Sequence, residues 1–436
     1  MFLTRRFYII ALLIIVLLGG GYFFMSLFVI GQLLLILFIC ILFLDGLLLY
    51  RNRGVGASRQ CAERFSNGDE NIVKVTLWNN YPFTVQVRVI DEAPPVFQKR
   101  DLLFSFLLPQ SGSKTLSYSL YPVKRGEYQF GHIRVFVSSF FMLIERRFTC
   151  GEEQKIKIYP SFLMLRRYEL MAMTNNLTDL GIKRVRRVGQ HTEFEQIKEY
   201  VKGDDYRMIN WKASARKHQL MVNTYQDERS QQIYCVVDKG RVMQQAFGGM
   251  TFLDYSINAS LVLSYVAMRK GDKAGLVTFN QYFDTFLPAS AQSGQLQRLL
   301  EILYDQKTSF GESDFSALCA HLSKRVSKRS FLVLYTNFDS MNAMKRQLQF
   351  LRLLASRHCL LVVIFEDMEL QQFIDTKPQN TEEYYQQVIA DKFAFDKRLI
   401  ISTLKQNGIY ALLTTPNKLS IDVINKYLEM KSLELL

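Results

Sequence analysis

The run Glu199–Arg216, EYVKGDDYRMINWKASAR, brings together the residue types that do chemistry or hold partners. It carries Glu199, Asp204 and Asp205, the bases Lys202, Arg207, Lys212 and Arg216, and also Asn210 and Trp211. Arg207 and Arg216 can each grip a carboxylate through two parallel hydrogen bonds. Trp211 offers a large apolar face with a single N–H donor. Asp204 and Asp205, directly after Gly203, suit a turn or a helix N-cap. Three uses fit this set. It could be a salt-bridged clasp between folded regions, a docking surface of the Trp/Arg kind that dominates interfaces, or an acid–base site. Clear helical or strand periodicity is absent from the run, so a loop is expected.

A second place for chemistry is the end of the apolar run Ile233–Val237, where Asp238 stands. Further strand ends offer Thr278, Asn280, Thr336, Asn337 and Asp339. Magnesium there would need oxygen ligands in near-octahedral geometry. Asp238 is followed by Lys239, Gly240, Arg241 and Val242, with no hydroxyl among them. Lys239 or Arg241 is therefore expected to neutralise Asp238 in place of a metal. No cofactor is expected, magnesium being the one candidate. The five histidines, His132, His191, His218, His321 and His358, adjoin no nucleophile or carboxylate partner in sequence. G-x-S-x-G, G-x-x-x-x-G-K-[ST] and H-E-x-x-H are all missing. The reading is of a non-enzyme. The basic cluster Lys183, Arg184, Arg186 and Arg187 has no aromatic platform beside it, so nucleic acid is not an expected partner.

These residues must be positioned by the elements around them. At 436 residues the chain is long enough for roughly two to four domains. Hydrophobic residues are 49% and charged residues 22%, enough apolar content for packed cores. The net charge of +14 suits anionic lipid, nucleic acid or an acidic partner and does not choose among them. No charge occurs from Phe7 to Leu44, and Gly19, Gly20 and Gly21 break that run near its middle. Arg5 and Arg6 precede it; Arg51, Arg53 and Arg59 follow. This pattern predicts a transmembrane hairpin with both ends in the cytosol, residues 1–59, and Asp45 near the inner boundary. Residues 60–160 read as a small antiparallel β-sandwich, with strands near Asn71–Leu77, Thr84–Val89, Thr115–Leu120, Gly126–Phe130 and His132–Val137. In the first of these, Ile72, Val73, Val75 and Leu77 are assigned to the apolar side. Residues 161–230 read as a linker holding the motif. Residues 231–436 read as a doubly wound α/β domain with a parallel sheet covered on both faces. Its strands are Ile233–Val237, Ala274–Phe279, Phe331–Tyr335, Leu360–Phe365 and Tyr410–Thr414. Its helices include Phe252–Arg269, Ala343–Arg357 and Ser420–Met430. The six scattered cysteines read as buried free thiols of a reducing compartment.

Glu193-Phe194, the run Glu199–Arg216 with Tyr200, Gly203 and Lys212, then Leu220–Tyr225 and Glu228, resemble the signature of the "domain of unknown function 58" family. Lys198 stands where the family usually has arginine. The resemblance implies two N-terminal membrane spans in the bacterial inner membrane, a sandwich-like region and a von Willebrand factor A-like, Rossmann-type domain in the cytoplasm. It also implies a MoxR-type AAA+ ATPase as partner, in a chaperone-like or envelope-related assembly. Von Willebrand A domains usually hold a divalent ion through D-x-S-x-S and a later threonine and aspartate. Those positions are Asp238, Gly240, Val242, Ser313 and Asn337 here, a degenerate set. The expectation is a membrane-anchored adaptor, with a metal-dependent ligand-binding module at Asp238, Ser313 and Asn337 as the alternative.

Overall fold

The fold is described from a computed structural model. It describes residues 2–51, 54–97, 102–163, 165, 193–201, 204, 206–226, 230–378, 380–433 and 435. Arg53, the cluster Lys183, Arg184, Arg186 and Arg187, and also Lys202, Gly203, Asp205 and Glu228, lie outside the described residues. The chain divides into two compact units, Met1–Tyr159 and Pro160–Leu436.

The first unit begins with β1 (Phe2–Leu3), α1 (Arg5–Gly20) and α2 (Met25–Arg51). Gly20 ends α1, and the turn Gly21–Phe24 reverses the chain where the glycines interrupt the apolar run. α2, with 27 residues, is long and apolar enough to cross a membrane. α1 has 16 residues. At 1.5 Å per residue that is about 24 Å, short of a hydrocarbon core of about 30 Å. The expectation of two spans thus receives support for one.

Ten strands follow among the described residues. They are β2 (Val55–Gln60), β3 (Arg64–Ser66), β4 (Asn71–Asn79), β5 (Val85–Asp91), β6 (Leu103–Leu108), β7 (Ser113–Leu120), β8 (Gly126–Phe130), β9 (Ile133–Ser138), β10 (Ile144–Cys150) and β11 (Gln154–Tyr159). They form sheets in the orders β1-β10-β9-β5-β6, β2-β4-β7 and β3-β11-β8. All pairings are antiparallel except β3 with β11, which is parallel and corrects the purely antiparallel expectation. Alternation drives the packing: Val73, Val75 and Leu77 of β4 join Val85, Val87 and Val89 of β5 and Ile133, Val135 and Val137 of β9 in one core. Ile72 is exposed, because a two-residue period sends it to the opposite face from Val73. At the centre of this core Arg59 pairs with Asp91. The same guanidinium donates to Gly131 O at 2.9 Å, and the Tyr118 hydroxyl donates to Asp91. This buried cluster ties β2, β5 and β7 together.

Asp45, near the end of α2, is fully buried. Its carboxylate accepts from Ser139 Oγ, from Leu143 N at 3.1 Å and from Ile144 N at 2.9 Å. Leu49, one turn further on, is also buried, and its carbonyl accepts from Tyr81 and Arg146. The last turns of α2 are therefore part of the sheet core, and Asp45 is no solvated boundary charge.

The second unit opens with β12 (Glu193–Glu199), α3 (Trp211–Lys217) and β13 (Met221–Gln226). β12 and β13 pair antiparallel, so the presumed loop and linker contain a hairpin carrying a short helix. Next come β14 (Gln232–Asp238), the two-residue strands β15 (Ala246–Phe247) and β16 (Met250–Thr251), α4 (Phe252–Arg269), β17 (Lys273–Phe279), β18 (Phe283–Ser290), α5 (Gln295–Tyr304), α6 (Phe315–Arg325), β19 (Phe331–Tyr335), α7 (Met341–Arg357), β20 (Cys359–Phe365), α8 (Met368–Asp375), α9 (Thr381–Gln406), β21 (Tyr410–Thr414) and α10 (Leu419–Ser432). Among the described residues six strands make one sheet, ordered β18-β17-β14-β19-β20-β21. Five are mutually parallel. β18 is antiparallel to β17, because only Asn280–Tyr282 connects them and so short a link permits nothing but a hairpin. The sheet is mixed rather than wholly parallel. One apolar cluster joins its α4, α5 and α10 face, and another joins its α6, α7 and α9 face. Three cysteines, Cys235, Cys319 and Cys359, are buried; Cys61 and Cys150 are half-buried, and Cys40 is exposed.

Candidate functional site

The charge-rich run folds as a braced turn on the β12–β13 hairpin. Asp204 accepts from Val201 N at 3.0 Å and from Lys198 Nζ at 2.9 Å, and these bonds hold its carboxyl below the usual range. Asn210, not an aspartate, caps α3: its Oδ1 accepts from Ala213 N at 3.0 Å. The other end of the Asn210 amide donates to Asn223 Oδ1 at 2.8 Å. Ser214 Oγ donates to Asn210 O and accepts from Met221 N at 2.9 Å. Tyr200 is half-buried, and its N–H donates to Leu220 O at 2.8 Å. The backbones of Glu193 and Phe194 pair with Gln226 and Tyr225; their side chains lie outside the described residues.

This internal bracing leaves the large side chains outside. Trp211 is 70% exposed and Tyr206 68%. Arg207, stacked 5.7 Å over the Tyr206 ring, is exposed, as are Lys212 and Arg216. The hairpin thus sets an indole, a phenol and three cations on one small scaffold. The large apolar face of Trp211 is thus open to a partner.

The strand-end group lies at the carboxyl ends of β14 and β19. Asp238 is buried, with Oδ1 accepting from Gly240 N at 2.8 Å and from Ser313 Oγ, and Oδ2 accepting from Thr336 Oγ1 at 2.6 Å. Burial pushes this carboxyl up; the three donors oppose the push. Neither expected neutralising cation reaches it. Lys239 extends the other way, to Asp284 at 2.6 Å and Gln306 Oε1 at 2.9 Å, because neighbouring residues at a strand end face opposite sides. Arg241 lies 3.7 Å from Asp339, both well exposed.

Asn337 turns away from Asp238. Its Oδ1 accepts from Lys397 Nζ, which also points at Phe365 O, 3.4 Å away. Burial pulls the Lys397 amine down to about 8, opposed by Asp339 and Asp367. Lys397 lies in a cleft of about 270 Å³ whose walls include Phe252, Phe365, Leu370 and Phe393. The structure brings Asp238 and Ser313 together and separates Asn337 from them. The donor set does not fit a divalent ion. It supplies one carboxylate with both oxygens already engaged and an amide oxygen held by an ammonium, where six oxygen ligands are needed. Among the described residues no cluster of three His, Cys, Asp or Glu side chains could hold a metal. Lys397 escaped the sequence reading because α9 was not recognised. The signal was present in Asn380 followed by Glu383: the asparagine side chain accepts from Glu383 N at 2.8 Å and donates to its carboxylate.

Residues 196–375 match the family model described as "Protein of unknown function DUF58". That stretch runs from within β12 to the end of α8. The chain is 28% identical over 259 residues to the uncharacterized protein YeaD of Bacillus subtilis (strain 168), a match covering 56% of this chain and 61% of that relative. Among solved structures, the conserved hypothetical protein BatB of Bacteroides thetaiotaomicron is 11% identical, covering 47% of this chain and 98% of that one at a TM-score of 0.31. The CARDB domain of a Pyrococcus furiosus protein, solved in complex with di-metal ions, is 13% identical, covering 24% and 86% at a TM-score of 0.18. These TM-scores are too low to establish a shared fold.

Proposed function

We propose that this protein is a membrane-anchored, non-enzymatic adaptor that docks a protein partner through the β12–α3–β13 hairpin. The observation that carries the reading is Trp211, 70% exposed on a hydrogen-bonded scaffold whose Arg207, Lys212 and Arg216 side chains are exposed as well. Tryptophan and arginine are the residues most enriched at interface hot spots. Two large rings, Trp211 and Tyr206, stand exposed on this one hairpin, and aromatic rings are enriched at interfaces. By the resemblance described above, the partner is a MoxR-type AAA+ ATPase in a chaperone-like or envelope-related assembly. The same resemblance makes the six-stranded unit von Willebrand factor A-like and its surroundings the cytoplasmic side of a bacterial inner membrane. The apolar α2 supports an anchor, and α1 is read as its shorter partner in a hairpin. The metal-dependent alternative is set aside on its donor set.

The test is co-purification from detergent-solubilised membranes. Replacing Trp211 and Arg207 together by alanine is expected to remove the bound ATPase while leaving the thermal midpoint unchanged. Unchanged partners of a folded double variant would refute the docking role.

A further inference from the structure

α9 is 26 residues long, and one side of it faces the sheet through Ala390, Ile400 and Leu404. The opposite side is apolar and open. Tyr385, Val388, Phe395 and Leu399 are 66, 50, 60 and 41% exposed. With Lys392 they occupy positions 385, 388, 392, 395 and 399, alternating three and four residues apart. That spacing is the seam of a paired helix, in which each side chain enters a gap between residues of a facing helix. Asp391 and Arg398 flank the seam, both exposed, and neither is engaged by a charge among the described residues.

We infer that α9 is an interface for α9 of a second copy of this chain, the two helices running antiparallel about a two-fold axis between residues 392 and 395. A two-fold contact must be self-complementary, with residue i meeting j and j meeting i. Setting Lys392 opposite Phe395 of the second copy meets that demand, placing an ammonium against a ring. Val388 then falls opposite Leu399, and Asp391 lies across the seam from Arg398. Each of these contacts occurs twice. A parallel pair fails on charge: Lys392 would meet Lys392, and Asp391 would meet Asp396. A lipid surface fails as well, since Lys392 sits within the apolar stripe and Asp391 at its edge, and both would be drawn toward hydrocarbon. The inference does not depend on the docking role of the β12–β13 hairpin.

The experiment measures the mass of the full chain in detergent by light scattering over a concentration series. The unaltered chain is expected to dimerise. Asp391→Arg alone, or Arg398→Asp alone, places like charges across the seam and is expected to weaken the dimer about tenfold or more. The double exchange Asp391→Arg with Arg398→Asp is expected to restore it, which no other partner would produce. All of these residues are exposed, so circular dichroism is expected to stay unchanged and to exclude misfolding. A chain that is monomeric throughout, a dimer indifferent to either single change, or a double exchange that fails to rescue would each overturn the inference.

Discussion

Asp238 is buried, and among the described residues its carboxylate is held by three donors, Gly240 N, Ser313 Oγ and Thr336 Oγ1, rather than by a cation. Gly240 makes that possible. A Cβ at this position would lie 2.2 Å from Ser313 Oγ, a separation no pair of heavy atoms tolerates. Gly240→Ala is therefore expected to push Ser313 off the carboxylate and to cost about 2 kcal/mol of stability, as overpacked sites do. Denaturant unfolding in detergent measures it. Adding Ser313→Ala removes the colliding atom, so the double variant is expected to lose less than the sum of the two singles. His358 gives a pH prediction. It is buried, and among the described residues its Nδ1 has no hydrogen-bond partner. Burial, with Arg357 beside it, lowers the imidazole below its ordinary value of 6.5. Below 6.5 the unfolded chain takes a proton that the folded chain refuses. The stability present above 6.5 is thus lost as the pH falls through the lowered folded value. Thermal midpoints measured from about pH 7 down to pH 5 are expected to decline less steeply in His358→Gln.

At the scale of elements, the end of α2 is a strut in the sheet core. Asp45 satisfies a hydroxyl and a backbone N–H of the β9–β10 connection and the first N–H of β10. Asp45→Ala leaves those donors buried and unpaired, with an expected loss of roughly 3 kcal/mol. Faster proteolysis at Ser139–Leu143 would report it, and an unchanged cleavage rate would contradict the strut. This coupling was not legible in the sequence, where Asp45 looked like a charge at a membrane edge; its donors come from a connection almost a hundred residues away. What was legible followed periodicity. Phe331–Tyr335, Tyr410–Thr414 and Phe252–Arg269 were read to their boundaries, because each is an apolar run or stripe with clear punctuation. α9 was missed for the opposite reason: apolar residues occupy both its sheet side and its open side, so no single stripe stands out. The β12–α3–β13 hairpin was missed because its elements are short and its residues charged. Asp238, Ser313 and Asn337 were found as residues, yet the direction of Asn337 was set by Lys397, which lies 60 positions away.

For the molecule as a whole, the two units differ in what completes their cores. In the unit Met1–Tyr159 the apolar cluster of the sheets includes Leu49 and Phe38 of α2 and Ile14 of α1. Removing the helices removes core residues as well as the one described helix long and apolar enough to cross a membrane. A fragment spanning residues 54–159 loses Leu49, the carbonyl that engages Tyr81 and Arg146, and the Asp45 carboxylate. It keeps β2 to β11 but loses β1 and the side chains that close the sheets. The expected result is a compact state that binds a hydrophobic dye and melts without a sharp transition. The unit Pro160–Leu436 has both faces of its sheet covered by its own helices, with Phe252 stacked on Phe365 at 4.5 Å on one face and Phe279 edge-on to Phe315 at 5.3 Å on the other. A fragment beginning at Pro160 is therefore expected to unfold in one cooperative step by calorimetry. Dye binding and a broad melt in that second fragment would show that its core also depends on residues before Pro160. A sharp melt in the first would show that α2 is an anchor and nothing more.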